Sequence, residues 1–172
     1  MTAPEPPVRV TKLGYVSFET PDVARLTEYY TKVLGFALVE ETTSQVFLTT
    51  GGDHHCVTIE KAEVSRGRNV IGYEIRESLD NAQLRLKEAG LASERRTDIG
   101  PGTPDVLVIE EPLTGSALHL YEEQSRSGVD STFDHRPNKL GHVAAYTPSP
   151  RDMRSFYEGA LGFRWSDTGG DF

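Results

Sequence analysis

A stretch of 25 residues occurs twice in this chain, and this duplication limits what the chain can fold into. Residues 12–36 read KLGYVSFETPDVARLTEYYTKVLGF, and residues 139–163 read KLGHVAAYTPSPRDMRSFYEGALGF. The copies align without a gap at an offset of 127 residues and share ten identities. Tyr15 of the first copy is replaced by His142 in the second. Such a copy indicates that one structural unit has been duplicated.

The first copy predicts a strand followed by a helix. Leu13–Phe18 is rich in β-forming residues. Thr20 is a suitable N-cap, Pro21 a suitable first helical residue, and Gly35 a suitable end of the helix. Three further strands are predicted at about 36–41, 45–50 and 55–60, so the order of elements is β-α-β-β-β.

The next segment repeats this order with weaker similarity. Ile71-Gly72-Tyr73 resembles Leu13-Gly14-Tyr15, and a helix is predicted from about Leu79 to Ala89, ending at Gly90. The residues of this helix that we expect to face inward are Leu79, Ala82, Leu86 and Ala89. Strands near 93–97, 105–110 and 116–122 complete the unit. Two such units would close a core by pairing into a curved mixed sheet of about eight strands, which predicts an α+β fold.

The repeats also predict the domain organisation. Residues 1–11 are a tail, residues 12–123 form a first domain of two units (12–62 and 68–123), and the polar residues 124–138 form a linker. Residues 139–172 begin a second domain with a strand, a helix opened by Ser149 and Pro150 and closed by Gly162, and a further strand at Phe163–Ser166. The apolar residues of this incomplete third unit need a core that its missing strands would supply. We therefore expect the 172 residues to be part of a longer two-domain chain.

Composition excludes several classes of function. With 37% hydrophobic and 26% charged residues, the chain is typical of a soluble globular protein. The net charge of −8 and the scattered basic residues disfavour nucleic acid as a partner. No apolar run approaches the roughly 18–20 residues of a membrane span, so no membrane partner is expected. The single Cys56 excludes an internal disulfide and favours a reducing, cytoplasmic location.

The tandem β-α-β-β-β units, the Leu-Gly-His-Val strand and the Phe-Tyr-x-x-x-Leu-Gly-Phe helix end (Phe156 to Phe163) resemble the vicinal oxygen chelate superfamily. The layout is more narrowly similar to the two-domain, type I extradiol dioxygenases, which open catechol rings. The resemblance implies a metal-free first domain and a second domain that binds Fe(II), or sometimes Mn(II), through two histidines and a glutamate. It implies that His142 is the first of these ligands and that the other ligands and the catalytic residues lie beyond Phe172.

The residues themselves favour the same division between the domains. Tyr15 stands where the second copy has His142, and we expect Tyr73 to be its counterpart in the second unit. Phenols with a pKa near 10 are poor ligands for Fe(II), so the first domain is predicted to be a non-catalytic scaffold. One imidazole does not hold a divalent metal tightly. We therefore expect no specific metal site in these residues unless another chain completes it.

Besides His142, the chain has four histidines, which are candidate ligands by residue type alone. Consecutive strand residues alternate between faces, so His54, His55 and Cys56 are expected to be a polar start to a strand rather than a metal site. His119 stands where a metal-binding sister domain would carry its carboxylate, and we expect a surface histidine or one satisfied within the core. His135 is expected to be exposed in the linker.

Three functions remain open at this point. The leading hypothesis is an extradiol dioxygenase-like oxidoreductase, a homo-oligomer acting on a small aromatic diol and O2, with this chain inactive alone. The first alternative is a metal-free ligand-binding or resistance protein in which residues 1–123 form a symmetric homodimer. The second is a glyoxalase- or epimerase-like metal isomerase with four metal ligands.

Overall fold

The computed structural model describes residues 5–65, 67–129 and 137–167. Three α-helices are described: α1 (Val23–Glu28), α2 (Leu79–Glu88) and α3 (Pro150–Leu161), and a π-helical turn, Tyr29–Val33, continues α1. Eight strands are described: β1 (Val10–Thr20), β2 (Ala37–Glu41), β3 (Gln45–Thr49), β4 (Val57–Lys61), β5 (Gly67–Ile75), β6 (Glu94–Arg96), β7 (Val106–Glu110) and β8 (Ala117–Tyr121).

The predicted sheet of eight strands is confirmed. Its strand order is β2-β3-β4-β1-β5-β8-β7-β6. The pairs β1–β4 and β5–β8 are parallel, and the other neighbours are antiparallel, including β1–β5 at the centre. Each half of the sheet therefore has the same strand arrangement, as expected for two paired copies of one unit.

The two repeat copies start and end their helices at corresponding residues. The N-cap residues Asp22 and Ser149 accept hydrogen bonds from backbone N–H groups three residues later, at 3.0 and 3.4 Å. Gly35 and Gly162 follow the helices with φ angles of 75° and 69°, the left-handed conformation that glycine adopts at low cost. The prediction of Thr20 as the N-cap is wrong, because its hydroxyl instead accepts from the Asp22 N–H just before α1.

Helix α2 packs on the sheet much as its sequence pattern predicts. Leu79, Ala82 and Leu86 are buried in the main core, together with apolar residues from the central strands. Ala89 is exposed, contrary to prediction, because α2 ends at Glu88 and Ala89 is its C-cap. We refer to the side of the sheet that this core covers as the helix face.

The third unit forms its helix but neither predicted strand. Residues 137–149 and 163–167 contain no strand, because strands are stable only beside hydrogen-bonding neighbours and none is offered among the described residues. The prediction that the apolar residues of this unit lack a core is wrong for Leu161. Leu161 and Val8 are both fully buried in the main core, and Val8 N donates to Ala160 O at 3.3 Å. Helix α3 therefore shares the core of the first domain.

Helix α3 is the longest helix in the described residues and has 12 residues. None of the described helices has the length and apolar character that crossing a membrane requires.

Candidate functional site

The side of the sheet opposite the helix face carries the position that the repeat singled out. In β1 the pairing register shifts between Leu13 and Tyr15, so Leu13 packs in the main core while Tyr15 lies on the opposite side. Tyr15 is paired with Gly72 on β5. Tyr73 lies on the helix face and contacts Phe163, so the prediction that Tyr73 is the counterpart of Tyr15 is wrong. The irregularity in β1 is the reason, because it changes the face on which the tyrosine lies.

Glycines in the two related strands make room for tyrosine rings. A Cβ atom on Gly72 would overlap with the Tyr15 ring, and one on Gly14 would overlap with the Tyr121 hydroxyl. Tyr15 and Tyr121 stack with their centroids 5.9 Å apart. The glycine shared by the two units is therefore required by tight aromatic packing on this side of the sheet.

Five polar side chains meet around Tyr15, and we call them the Tyr15 cluster: Tyr15, His54, His55, His119 and Gln124. The Tyr15 hydroxyl lies 2.6 Å from His119 Nδ1. Gln124 Nε2 donates to His55 Nδ1 at 2.9 Å, and His54 Nδ1 lies 3.0 Å from the same atom. All five side chains belong to buried residues. These hydrogen bonds replace part of the water that the groups lose on folding, whereas Gln124 Oε1 is buried with no hydrogen-bond partner among the described residues.

Burial keeps Tyr15, His55 and His119 of this cluster uncharged. It lowers the pKa of His55 to about 3, with further lowering by the nearby His54 and His119. It lowers the pKa of His119 to about 4. Burial also raises the pKa of the Tyr15 and Tyr121 phenols, so both keep their protons at neutral pH. Neutral imidazoles and protonated phenols of this kind are poorly suited to exchange protons near pH 7.

His119 was expected to be either a surface residue or a buried residue with a hydrogen-bond partner. The second alternative is confirmed, because His119 is buried against the Tyr15 hydroxyl. The expectation that strand alternation places His54 and His55 on opposite faces of the sheet is wrong. These residues precede β4, which begins at Val57, so strand alternation does not separate their side chains and both rings are buried side by side. His54 N also donates to Ser125 O at 2.7 Å, which holds this segment against the chain that follows β8.

Gln124 was predicted to be the first residue of the linker, not a residue of the site. Its amide is buried, and its only sequence signal is its position three residues after the end of β8. Ser125 N donates to Gly102 O at 3.0 Å, and Arg126 forms an isolated bridge with Asp53. Residues 124–126 thus pack on the first domain.

The space beside the cluster is too small for an organic ligand. A cavity of about 10 Å³ lies between Tyr15, Ser17, His55, Glu60 and His119, which is room for about one water molecule. Pockets for small organic molecules usually have volumes of roughly 300–1,000 Å³. Tyrosine and histidine rings therefore fill the place in the first domain that corresponds to the predicted metal site of the second.

The described residues do not form a site for the metal that the resemblance implies. His142 is exposed, and within 5–65, 67–129 and 137–167 no three His, Cys, Asp or Glu side chains are grouped so as to hold a metal ion. His142 alone supplies one donor, and in the first domain the donor at the equivalent position is the protonated phenol of Tyr15. His135 lies outside the described residues.

Comparison with known proteins gives a family match over most of the chain. The model of the glyoxalase/bleomycin resistance protein/dioxygenase superfamily matches residues 12–120. Catechol-2,3-dioxygenase of Bacillus subtilis (strain 168) is 24% identical over 193 aligned positions, covering 89% of this chain and 65% of that protein.

Solved structures of homoprotocatechuate 2,3-dioxygenase from Brevibacterium fuscum are similar in fold. One variant superposes with a TM-score of 0.80 and 25% identity over 92% of this chain and 46% of its own. A complex with 3,4-dihydroxyphenylacetate superposes with a TM-score of 0.62 over 70% of this chain and 39% of its own. This chain thus spans about half the length of the solved relatives and two thirds of the curated one.

Proposed function

Because the chain belongs to the glyoxalase/bleomycin resistance protein/dioxygenase superfamily, we propose that it forms part of an extradiol ring-cleaving dioxygenase acting on a catechol-type substrate and O2. In this proposal residues 12–123 are a non-catalytic scaffold. His142 is one ligand of an Fe(II) ion, or alternatively Mn(II), and the remaining histidine and glutamate ligands come from residues outside the 172.

One observation carries this proposal. The superposition on homoprotocatechuate 2,3-dioxygenase covers 92% of the chain, whereas residues 1–129 amount to only three quarters of it. The similarity therefore includes residues of the third unit as well as the first domain. A relative that shared only a single domain of this superfamily would not account for so long a match.

The filled Tyr15 side of the sheet supports a scaffold role for the first domain. Two tyrosines, stacked over glycines, and two neutral histidines occupy it. This filling counts against the alternative of a metal-free ligand-binding module, at least for a ligand held within one domain. A glyoxalase-like isomerase would need four metal ligands, and the described residues offer only His142 at the repeat position.

The experiment is to express the full-length gene product with Fe(II) and to assay 3-substituted catechols for a yellow ring-opened product. We expect the absorbance of this product to appear and His142→Ala to abolish it, because one of three ligands is lost. Lys139→Ala is the matched control, since Lys139 is also exposed and lies three residues away. No absorbance change across a panel of catechols, or full activity of His142→Ala, would reject the proposal.

A further inference from the structure

Four basic residues from three separate segments of the sequence meet in one cleft. Arg9, Lys12, Arg76 and Arg164 line a cleft of about 500 Å³ where the start of β1 and the end of β5 approach the residues after α3. The basic residues are scattered along the sequence, but the fold brings these four together. None of the described residues that line the cleft is acidic, although the chain as a whole has a net charge of −8.

Two of the four cations have no anionic partner among the residues that the structure describes. Arg9 is paired with Glu5 at 3.2 Å, and Lys12 is paired with Asp53 and Glu74. The guanidinium groups of Arg76 and Arg164 form neither an ion pair nor a hydrogen bond with any residue in the described ranges. Exposed arginines commonly remain in water, but Arg76 and Arg164 line the same cleft and add positive charge there that the acids paired with Arg9 and Lys12 do not neutralise.

The rest of the lining determines what kind of anion fits. Val10, Leu13 and Phe163 give the cleft an apolar part, and Phe163 is 36% exposed. The volume is within the range of small-molecule pockets, roughly 300–1,000 Å³. Planar guanidinium groups bind carboxylate and phosphate oxygens through paired hydrogen bonds.

We propose that this cleft binds a small multivalent anion, either a polycarboxylate or a phosphate. This site is separate from the proposed catechol chemistry and does not depend on it. Arg76 belongs to the first domain and Arg164 follows α3, so one multivalent anion would contact both and would hold α3 against the first domain.

The test is a titration of the 172-residue protein with citrate, inorganic phosphate and acetate at low ionic strength, followed by backbone amide NMR and by thermal unfolding. We expect citrate or phosphate to shift the amide signals of Arg76, Phe163 and Arg164 and to raise Tm, since a ligand that binds only the folded state stabilises it. The stronger of the two identifies the anion as a polycarboxylate or a phosphate. Acetate, with one charge, is expected to bind more weakly than either.

Matched variants separate a site from general charge attraction. Arg76→Gln and Arg164→Gln are each expected to weaken binding roughly tenfold, because each removes a charge-assisted interaction. Arg25→Gln removes the same charge from an exposed position on α1, away from the cleft, and is expected to leave binding unchanged. The proposal would be overturned if neither citrate nor phosphate bound at a concentration of about 10 mM. Equal weakening by Arg25→Gln and the two cleft variants would also overturn it.

Discussion

The phenol of Tyr15 connects two buried residues on the polar side of the first domain. It lies 2.6 Å from His119 Nδ1, and both residues are buried. Tyr15→Phe keeps the ring but leaves the His119 nitrogen without its partner, which we expect to lower the free energy of unfolding by about 1–3 kcal/mol. Urea denaturation measures this change. Tyr29→Phe, at a half-exposed ring on the π-helical turn, is the control and should unfold like the parent.

A second residue-scale prediction concerns the glycine beneath the Tyr15 ring. Gly72→Ala places a methyl group where the ring lies, and overpacking of this kind costs about 1–3 kcal/mol. Gly159→Ala in α3 is a matched control, because a Cβ there meets nothing within 4 Å. Because alanine has a higher helix propensity than glycine, Gly159→Ala should raise the free energy of unfolding by about 0.5–1 kcal/mol. Thermal unfolding measures both changes. If Gly72→Ala and Gly159→Ala shifted Tm in the same direction and by the same amount, the packing explanation would be wrong.

At the scale of elements, α3 is expected to unfold together with the first domain. Leu161→Ala removes a side chain that is fully buried in the shared core, and we expect it to lower the free energy of unfolding by about 2–5 kcal/mol. Leu84→Ala, at an exposed leucine of α2, should change it by less than about 0.5 kcal/mol. A main urea transition unchanged by Leu161→Ala would show that α3 is not part of this cooperative unit.

Sequence patterns predicted elements that carry their own local signals. Leu79, Ala82 and Leu86 recur at helical spacing, and Gly35, Gly90 and Gly162 follow their helices, so these helices could be located from the sequence. The face on which a strand residue lies could not be predicted so well. The register shift beside Tyr15 has no local signature, and it reversed the expected relation of Tyr15 to Tyr73.

The candidate site was harder to predict than the fold because its contacts are distant in sequence. His55 and Gln124 are 69 residues apart, and Tyr15 and His119 are 104 apart. The repeat correctly drew attention to Tyr15. Nothing near Gln124 distinguishes a buried amide from a polar linker residue, and nothing near Arg76 or Arg164 indicates that they line the same cleft.

For the whole molecule, the buried histidines make stability depend on pH. His55 and His119 have pKa values of about 3 and about 4 when folded, against the ordinary 6.5 in the unfolded chain. Below pH 6.5 the unfolded state therefore binds more protons than the folded state. The free energy of unfolding should fall as the pH is lowered from 6.5 towards 4, by up to about 1.4 kcal/mol per pH unit for each histidine.

Urea denaturation at several pH values between 5 and 8 measures this dependence. His119→Gln removes one of the two titrating groups and should roughly halve the slope between pH 5 and 6. A stability that stays constant from pH 8 to 5 would contradict the assignment of both histidines as buried and neutral.

The contact between Val8 and α3 also has a consequence for how the protein is made. Val8 donates to Ala160 O and shares the main core with Leu161, so this part of its packing is absent when residue 123 has just been synthesised. Translation at about 5–20 residues per second takes several seconds to add the next forty or so residues. During that interval the core near the N-terminal strand lacks the packing that Ala160 and Leu161 supply.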